Sequence, residues 1–294
     1  MKILVIKHGA LGDFILAFPA LSAIRTFHPG AEITFLTTAP YAPFLAAAPW
    51  LDRIEIDTRP NFWNLPGLLK LRRQLRGFDL VYDLQTSSRS SRYFTLAGKP
   101  PWSGIAQGCA LPDADPNRDN LHSRERLEGQ LRAAGIPHLP QPNLSWLTGA
   151  DISRFNLPEK FALLIPGASF HRPEKRWPEQ NFAQLAQSLP MPSVIIGGEG
   201  EAALAKSIPG LNLTGQTNLF ELAAIAARAS LAIGNDTGPM HLATALGIPS
   251  LVLFSAASNP ALTAPRTPNG GWPVILSAPA LSDLPVAQVL ASLP

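Results

Sequence analysis

Strand-like apolar runs alternate with helix-like runs in two separate series along this chain. The first series predicts strands at KILVIK, EITFLT and FDLVYDL, with helices from Asp13 to Phe27 and at LLKLRRQLRG. The second predicts strands at FALLIP, SVIIGG, LAIG and SLVLF, separated by the helical stretches EQNFAQLAQSL, EAALAKSI, LFELAAIAARA and PMHLATALG. Strands that alternate with helices form parallel sheets covered on both faces, so each series predicts a doubly wound α/β unit.

A stretch with four prolines and little periodicity separates the two series, over residues 137–158. Such a stretch is typical of a linker. The length of 294 residues also exceeds the roughly 150 expected of one domain. We therefore predict domains over residues 1–142 and 143–294, both Rossmann-like and facing a central cleft, because ligands bind beyond the carboxyl ends of the strands.

The composition is that of a soluble protein. No apolar run approaches the roughly 18 residues that span a bilayer, and Lys7 and His8 interrupt the first apolar run too early for a signal peptide. The single cysteine, Cys109, cannot form an internal disulfide, which fits a reducing compartment. These features predict a cytoplasmic location.

Basic residues are concentrated between residues 59 and 99. This stretch contains eight Lys and Arg residues and only two acids, Asp79 and Asp83. This run indicates either a solvated helix face or a docking surface for an anion. A nucleic acid is disfavoured as the partner, because no basic groove with interleaved aromatic residues accompanies the run. Three of its arginines lie at helical spacing after the apolar stretch LPGLLKL: Arg72, Arg73 and Arg76.

The loop KHGALGDFI follows the first strand and places Asp13 just after a glycine-containing turn. An acid there is either a helix cap that complements the helix dipole or a group with a chemical role. The loop lacks the G-x-G-x-x-G spacing of a dinucleotide site, which argues against a dehydrogenase.

Two loops of the second series have the composition of a phosphate site. In PGASFHRPEKRWP, the small residues Ala168 and Ser169 leave backbone amides accessible, and Lys175 offers a point charge, although an ordinary loop has the same composition. In GNDTGPMHLATALG, the pattern predicts a helix N-terminus with free amides, capped by Asp236 or Thr237. His241 in its first turn is either a ligand-binding residue or a satisfied structural histidine.

These three loops together resemble glycosyltransferase family 9, the ADP-heptose:lipopolysaccharide heptosyltransferases. The matching stretches are KHGALGDFILAFPAL, PGASF with KRWP, and GNDTGPMHLATALGIPSLVLF, in the family's order. The resemblance implies the GT-B fold, with the acceptor bound mainly by the first domain and the nucleotide sugar mainly by the second. It is good over roughly the first 40 residues and over 160–255, and poor over the basic middle and the tail.

By this resemblance, Asp13 is the catalytic base that takes the proton from the acceptor hydroxyl, and Lys175 stabilises the departing ADP without a metal or other cofactor. Glu201 matches the acid that binds the ribose, although Glu199 competes for that role. The other implied donor contacts are Ala168 and Ser169 at the diphosphate, Asp236 at the sugar hydroxyls, Thr237 and the amide of Gly238, and His241 at the phosphate end.

The resemblance implies an inverting, metal-independent transfer of heptose from ADP-heptose to the lipopolysaccharide core or a related anionic glycolipid. The acceptor would lie at the inner membrane surface, with Arg72, Arg73 and Arg76 on a membrane-facing helix, or with Arg89 and Arg92 instead. Alternatives are transfer of another activated sugar, transfer to a protein, and a silent nucleotide-binding module. The region 59–130 carries no assignable motif, so the acceptor's identity stays open.

Overall fold

A computed structural model describes residues 1–61, 63–168 and 172–294 of the chain. It divides into two compact units, Met1–Pro142 and Asn143–Pro294. Within the described residues, no helix is both long and apolar enough to cross a membrane.

The first unit contains a parallel six-stranded sheet of order β3-β2-β1-β4-β5-β6. Its central strands are continuous apolar runs because helices cover both faces of the sheet. The strands are β1 Lys2–Ile6, β2 Glu32–Thr37, β3 Arg53–Ile56, β4 Leu80–Asp83, β5 Trp102–Gly104 and β6 Leu111–Pro112. The helices are α1 Leu11–Phe27, α2 Ala42–Leu45, α3 Leu65–Gln74, α4 Ser88–Ala97 and α5 Ser123–Ala133.

The second unit repeats this topology, with a parallel sheet of order β12-β11-β10-β7-β8-β9. Counted along the second unit, its strands have the same 3-2-1-4-5-6 order as the first sheet. The strands are β7 Ala162–Ile165, β8 Ser193–Ile195, β9 Leu211–Asn212, β10 Leu231–Asn235, β11 Ser250–Ser255 and β12 Val274–Ala278. The helices are α6 Glu179–Ser188, α7 Ala202–Ala205, α8 Leu219–Arg228, α9 Gly238–Ala245, α10 Pro260–Thr263 and α11 Val286–Ala291.

The prediction of two doubly wound α/β units is confirmed, and 3-2-1-4-5-6 is the Rossmann strand order. Two local predictions are wrong. The helix predicted at EAALAKSI is the single turn α7, which follows a 3₁₀ turn at Glu199–Glu201. The predicted linker is partly packed structure, because Leu147 and Phe155 lie on 3₁₀ turns and are buried in the second unit.

Candidate active site

Both sheets reverse their strand order next to their first strand, between β1 and β4 and between β7 and β10. A crevice forms outside the carboxyl ends of the strands at such a switch point, and ligands bind there. The loops that follow these four strands include the three that the sequence analysis selected. The fold therefore brings the selected loops to the expected edge of each sheet.

Asp13 lies at the switch point of the first unit, on the third residue of α1. Its side chain is exposed, and its Oδ2 accepts a hydrogen bond of 2.9 Å from the backbone N–H of Ala10. Ala10 is the N-cap residue of the helix, so the carboxylate holds the start of α1 as a reciprocal cap does. The capping contact leaves the other carboxylate oxygen, Oδ1, for a further partner.

The backbone before Asp13 turns sharply at Gly9. Gly9 has a φ of +120°, and a Cβ on it would lie 2.8 Å from the ring of Tyr41. Only glycine fits this conformation without strain. The ring of Tyr41 also packs edge-on against Phe14 in α1, so the loop and the helix that carries Asp13 are fixed against one aromatic pair.

The sequence analysis missed two buried charged groups at the end of β1: Lys7, which follows the strand, and Asp83, which pairs with Ile6 in the sheet register. Lys7 is 8% exposed and donates a 3.2 Å hydrogen bond from Nζ to the backbone oxygen of Leu84. Burial lowers the pKa of Lys7, and the negative charges of Asp13 and Asp83 oppose that shift. Asp83 is fully buried at the end of β4, and burial raises its pKa to about 6. The signal was available, since both residues sit at the ends of buried strands.

A second buried network in this unit connects the His8 loop to α4. Nε2 of His8 lies 3.0 Å from Oδ2 of Asp57, which also accepts a 2.6 Å hydrogen bond from the Tyr93 hydroxyl. Burial alone would raise the pKa of Asp57, but the contacts with His8 and Tyr93 and the N–H of Arg59 hold it below its usual value. The network ties the loop before Asp13 to a helix that lines a groove in the same unit.

A cavity of about 380 Å³ lies at the switch point of the second unit. This volume falls within the range of small-molecule pockets. Its wall includes three of the predicted donor contacts, Ala168, Glu201 and Thr237, and also Pro239, which follows the predicted contact Gly238. The predicted contact Ser169 lies outside the described residues.

Glu201 fills the space that a side chain at Gly167 would need. A Cβ on Gly167 would lie 1.9 Å from Oε1 of Glu201, so the carboxylate packs directly on the glycine backbone. Its Oε2 accepts a 2.8 Å hydrogen bond from the N–H of Gly198. Glu201 thus lines the cavity in a fixed position, whereas its competitor Glu199 is exposed on the same 3₁₀ turn.

Lys175 and Asp236 form a largely buried ion pair. Nζ of Lys175 lies 2.7 Å from Oδ2 of Asp236, and the two side chains are 14% and 7% exposed. Nε2 of His241 lies 3.7 Å from the other carboxylate oxygen. Burial alone would raise the pKa of Asp236, but His241 and Lys175 outweigh it and hold the pKa below its usual value. Asp236 is therefore ionised at neutral pH, and it orients both Lys175 and His241.

Asp236 was predicted as one of two possible caps for α9, and it does not cap the helix. Thr237 occupies the N-cap position without a side-chain capping bond, and its buried Oγ1 has no hydrogen-bond partner among the described residues. A buried hydroxyl without a partner is costly unless a ligand or water meets it. Thr237 lines the cavity, so its hydroxyl is available to a ligand there.

Two further residues position this site, and the sequence analysis did not select them. Asn235 is fully buried; its Oδ1 accepts from the N–H of Trp177 at 3.0 Å, and its Nδ2 donates to the oxygen of Pro166 at 2.8 Å. Arg176 lines the cavity and donates from Nη2 to the oxygen of Ala168 at 3.1 Å. The signal for Asn235 was its position at the end of a buried strand.

The predicted acceptor-binding arginines lie in the first unit, and all three are exposed. Arg72 and Arg73 are in the last turn of α3, but the helix ends at Gln74, so Arg76 lies beyond it. The prediction that all three arginines lie on one helix is wrong for Arg76, because the chain leaves the helix before Gly77, which has a φ of +86°. Among the described residues, no group of three or more His, Cys, Asp or Glu side chains is placed to hold a metal ion.

Two Rossmann-like units in one chain, the second with a cavity at its switch point, are the architecture of the GT-B fold. Solved structures share this fold. The glycosyl transferase family 9 protein of Veillonella parvula has a TM-score of 0.81 at 22% identity and covers 99% of this chain and 95% of its own. The E. coli heptosyltransferase WaaC, solved with ADP, has a TM-score of 0.74 at 21% identity, with 99% and 98% covered.

The family model described as glycosyltransferase family 9 (heptosyltransferase) matches residues 68–276. The lipooligosaccharide heptosyltransferase 2 of Haemophilus ducreyi is 26% identical to this chain over an alignment of 300 positions, gaps included. The alignment covers 90% of this chain and 86% of that protein. The chain belongs to glycosyltransferase family 9, and it is a glycosyltransferase. The family resemblance identified from the three loops is thereby confirmed.

Proposed function

We propose that this enzyme transfers heptose from ADP-heptose to the core of lipopolysaccharide or to a related anionic glycolipid. The curated relative from H. ducreyi is named for this transfer to lipooligosaccharide, and the E. coli enzyme was solved with ADP. The observation that carries the proposal is the Lys175–Asp236 ion pair beside a cavity that Glu201 and Thr237 line. This set offers a cation and a helix N-terminus to a diphosphate, and a carboxylate to a ribose or sugar hydroxyl.

In the proposed reaction, Asp13 accepts the proton of the acceptor hydroxyl as its oxygen forms the new bond to the anomeric carbon. The bond from that carbon to the diphosphate oxygen breaks, and ADP departs with its negative charge. Lys175 and the amide of Gly238 stabilise this charge without a metal. Attack opposite the leaving group inverts the anomeric centre.

The donor contacts are proposed on the second unit. Ala168 and Ser169 meet the diphosphate, and Glu201 holds the ribose hydroxyls. Asp236 accepts hydrogen bonds from the sugar hydroxyls, while His241 and Thr237 contact the phosphate end. Asp236 is already held by Lys175 and His241, and Glu201 by the N–H of Gly198, which reduces the ordering that the donor must impose.

The acceptor is proposed to bind the first unit, with Arg72, Arg73 and Arg76 facing its anionic groups. These arginines follow Trp63 and Leu65, which are 95% and 64% exposed. Exposed apolar residues beside cations are typical of a surface that rests on an anionic membrane. The enzyme would then work on the cytoplasmic side, in peripheral contact with the inner membrane.

The donor assignment is tested by a thermal-shift panel of ADP, ADP-heptose, UDP, GDP and NAD. A ligand at about 100 times its Kd stabilises the folded state by roughly 2.7 kcal/mol, enough to shift the melting temperature measurably. We expect stabilisation by ADP and ADP-heptose alone. Stabilisation by UDP or GDP instead would mean that the donor sugar carries that nucleotide and not ADP. Stabilisation by none of them would favour a module without catalytic activity. Slow hydrolysis of ADP-heptose without acceptor separates an enzyme from such a module.

A further inference from the structure

A groove of about 680 Å³ lies in the first unit between α3 and α4, and Arg72 is the one described wall residue that the proposed function uses. Its apolar wall includes Leu68 and Leu71 from α3 and Leu96 from α4. Leu71 is 2% exposed and belongs to the core of the unit, so the floor of the groove is fixed packing. The groove is thus a preformed apolar site near the surface.

Arginines supply the charge of this groove. Arg72, Arg89 and Arg92 line it, and its wall has no Asp or Glu among the residues that the structure describes. Burial and Asp57 raise the pKa of the hydroxyl of Tyr93, another wall residue, and the positive charge of the neighbouring Arg89 offsets part of that rise. Guanidinium groups bind phosphate and carboxylate in bidentate fashion. The groove therefore combines an apolar floor with an anion-binding rim.

The apolar wall continues onto the exposed side of α3. Leu65 and Leu69 are 64% and 47% exposed, and Trp63 just before the helix is 95% exposed. Leu65, Leu68, Leu69 and Arg72 follow helical spacing, so one stripe of the helix runs from the exposed leucines to the groove. An amphiphile that leaves a membrane surface would meet apolar contacts along this whole stripe.

We propose that this groove binds an acyl chain of the anionic glycolipid acceptor, with its arginines on the adjoining phosphate or acidic sugar. The inference rests on the proposed function for the identity of the acceptor, and adds that the enzyme binds the lipid part of it. Charge favours this occupant over an apolar protein segment, since three arginines in a wall whose described residues include no Asp or Glu give the groove a positive charge next to its apolar surface.

Transfer to the acylated acceptor is compared with transfer to the same acceptor after complete deacylation. In the wild type, removal of the acyl chains raises the acceptor KM, because apolar burial is lost. Leu68→Gln raises the KM for the acylated acceptor roughly tenfold, in line with the loss of a few buried methylene groups, and leaves the KM for the deacylated one unchanged. Leu68→Met, which keeps the volume and the apolar character, retains the wild-type ratio.

Thr95→Trp is the second variant, because Thr95 is an exposed wall residue of α4 and a tryptophan there fills the groove without touching the core. It raises the KM for the acylated acceptor alone, and Thr95→Ser does not. The proposal is overturned if deacylation leaves the wild-type KM unchanged or if Leu68→Gln affects both acceptors equally. It is also overturned if Leu68→Gln reduces phospholipid-vesicle binding while the KM ratio stays at the wild-type value, which would assign the groove to bulk membrane lipid.

A binding measurement separates this inference from the proposed function. Calorimetry with monomeric dodecyl phosphate gives binding to the wild type, weaker binding to Thr95→Trp, and none with inorganic phosphate or a neutral dodecyl glycoside at the same concentration. If no ADP-sugar is transferred to either acceptor, the proposed function fails, and dodecyl phosphate still tests the groove. If transfer occurs and dodecyl phosphate does not bind, the groove proposal alone fails.

Discussion

An acid lies at the carboxyl end of the fourth strand of the first sheet and directly after that of the second, and the two acids have opposite electrostatic environments. Asp83 ends β4, is fully buried and receives backbone N–H bonds from Gln85 and Thr86; burial raises its pKa to about 6. Asp236 follows the last residue of β10 and contacts Lys175 and His241, which hold its pKa below the usual value against burial. One strand topology thus supports an acid held by backbone amides and an acid held by a lysine and a histidine.

A lysine in the loop after the first strand of each sheet accounts for much of this difference. Lys7 directly follows β1 and donates to the backbone oxygen of Leu84 instead of pairing with Asp83. Lys175 comes ten residues after β7 and reaches the carboxylate of Asp236 directly. The longer loop lets a lysine reach across the crevice. The second unit therefore has a largely buried ion pair, whereas Asp13 in the first unit is exposed.

The largest effect is expected from Asp13→Asn. A base acts in the transition state, so kcat should fall about 10²- to 10⁴-fold while donor affinity changes little. Asparagine keeps a side-chain oxygen that can accept from the N–H of Ala10, so the helix cap survives and the melting temperature should stay close to that of the wild type. Steady-state kinetics and ADP calorimetry measure the two quantities. If the variant retains more than about a tenth of the wild-type kcat, Asp13 is not the catalytic base and serves only as a helix cap.

Breaking the ion pair of the second unit is expected to act on the donor. Asp236→Ala and Lys175→Ala should each weaken ADP-heptose binding or turnover on the order of tenfold to a hundredfold, because each leaves a largely buried charge unpaired. The double variant should show a coupling of roughly 1–3 kcal/mol in a double-mutant cycle of donor binding.

Arg154→Ala is the matched control for that cycle, since it removes an ion pair of the same unit with Glu221 in which the arginine is 57% exposed. It should leave donor binding unchanged. Additive effects of Asp236→Ala and Lys175→Ala would contradict the pairing.

The wild type should also stay active in EDTA, and a strict need for Mg²⁺ or Mn²⁺ would contradict the proposal of a metal-free reaction.

The charge difference between the units leads to the next prediction. The first unit has 16 Lys and Arg against 12 Asp and Glu, a net charge of +4, whereas the second has 8 against 9, a net charge of −1. Replacing Arg72, Arg73 and Arg76 with glutamine should raise the acceptor KM and reduce binding to anionic vesicles, because each cation contributes about 1 kcal/mol near such a surface. Added salt should have the same effect, through screening over about 8 Å at physiological ionic strength.

A charge-matched control replaces three other arginines of the first unit with glutamine: Arg53, Arg124 and Arg132. This variant should bind vesicles and acceptor as the wild type does, and both triple variants should keep the wild-type ADP-heptose affinity. If both triple variants lose vesicle and acceptor binding equally, the effect comes from net charge and not from the position of the arginines. If the variant of Arg72, Arg73 and Arg76 loses neither, these arginines do not belong to the acceptor site.

The smallest effect concerns stability and tests the opposite pKa shifts directly. The pKa of Asp83 rises from 3.8 to about 6 on folding, so the folded state binds the extra proton between these values and stability falls as pH rises through them. Asp83→Asn removes this dependence. Its stability relative to the wild type should therefore increase by about 1 kcal/mol between about pH 5 and pH 8, as denaturant unfolding measures.

Asp236→Asn should show the opposite sign. The pKa of Asp236 is lowered on folding, so its contribution is present above the unfolded value of 3.8 and is lost as pH falls through the folded value. The variant should be less stable than the wild type at neutral pH, with a difference that shrinks in acid. If the two variants have the same sign, the contrast between the acids is wrong.

Periodicity and the three loops were sufficient to predict much of this protein from the sequence. Apolar strands that alternate with amphipathic helices identify a parallel sheet because burial on both faces requires it. The loops also contain Asp13, Lys175, Asp236 and His241 at recognisable positions, since turn glycines and helix caps act over a few residues. Short edge strands such as β6 and β9, of two residues each, have no period that a sequence pattern can display.

The tertiary structure alone decided which of these residues meet. Lys175 and Asp236 are 61 residues apart, and His8 and Asp57 are 49 apart, so no local pattern predicts either contact. The packing of Leu147 and Phe155 depended in the same way on neighbours distant in sequence. Sequence pattern reports local conformation and burial, whereas the pairing of charges and the shape of a groove arise only when separate strands and helices pack together.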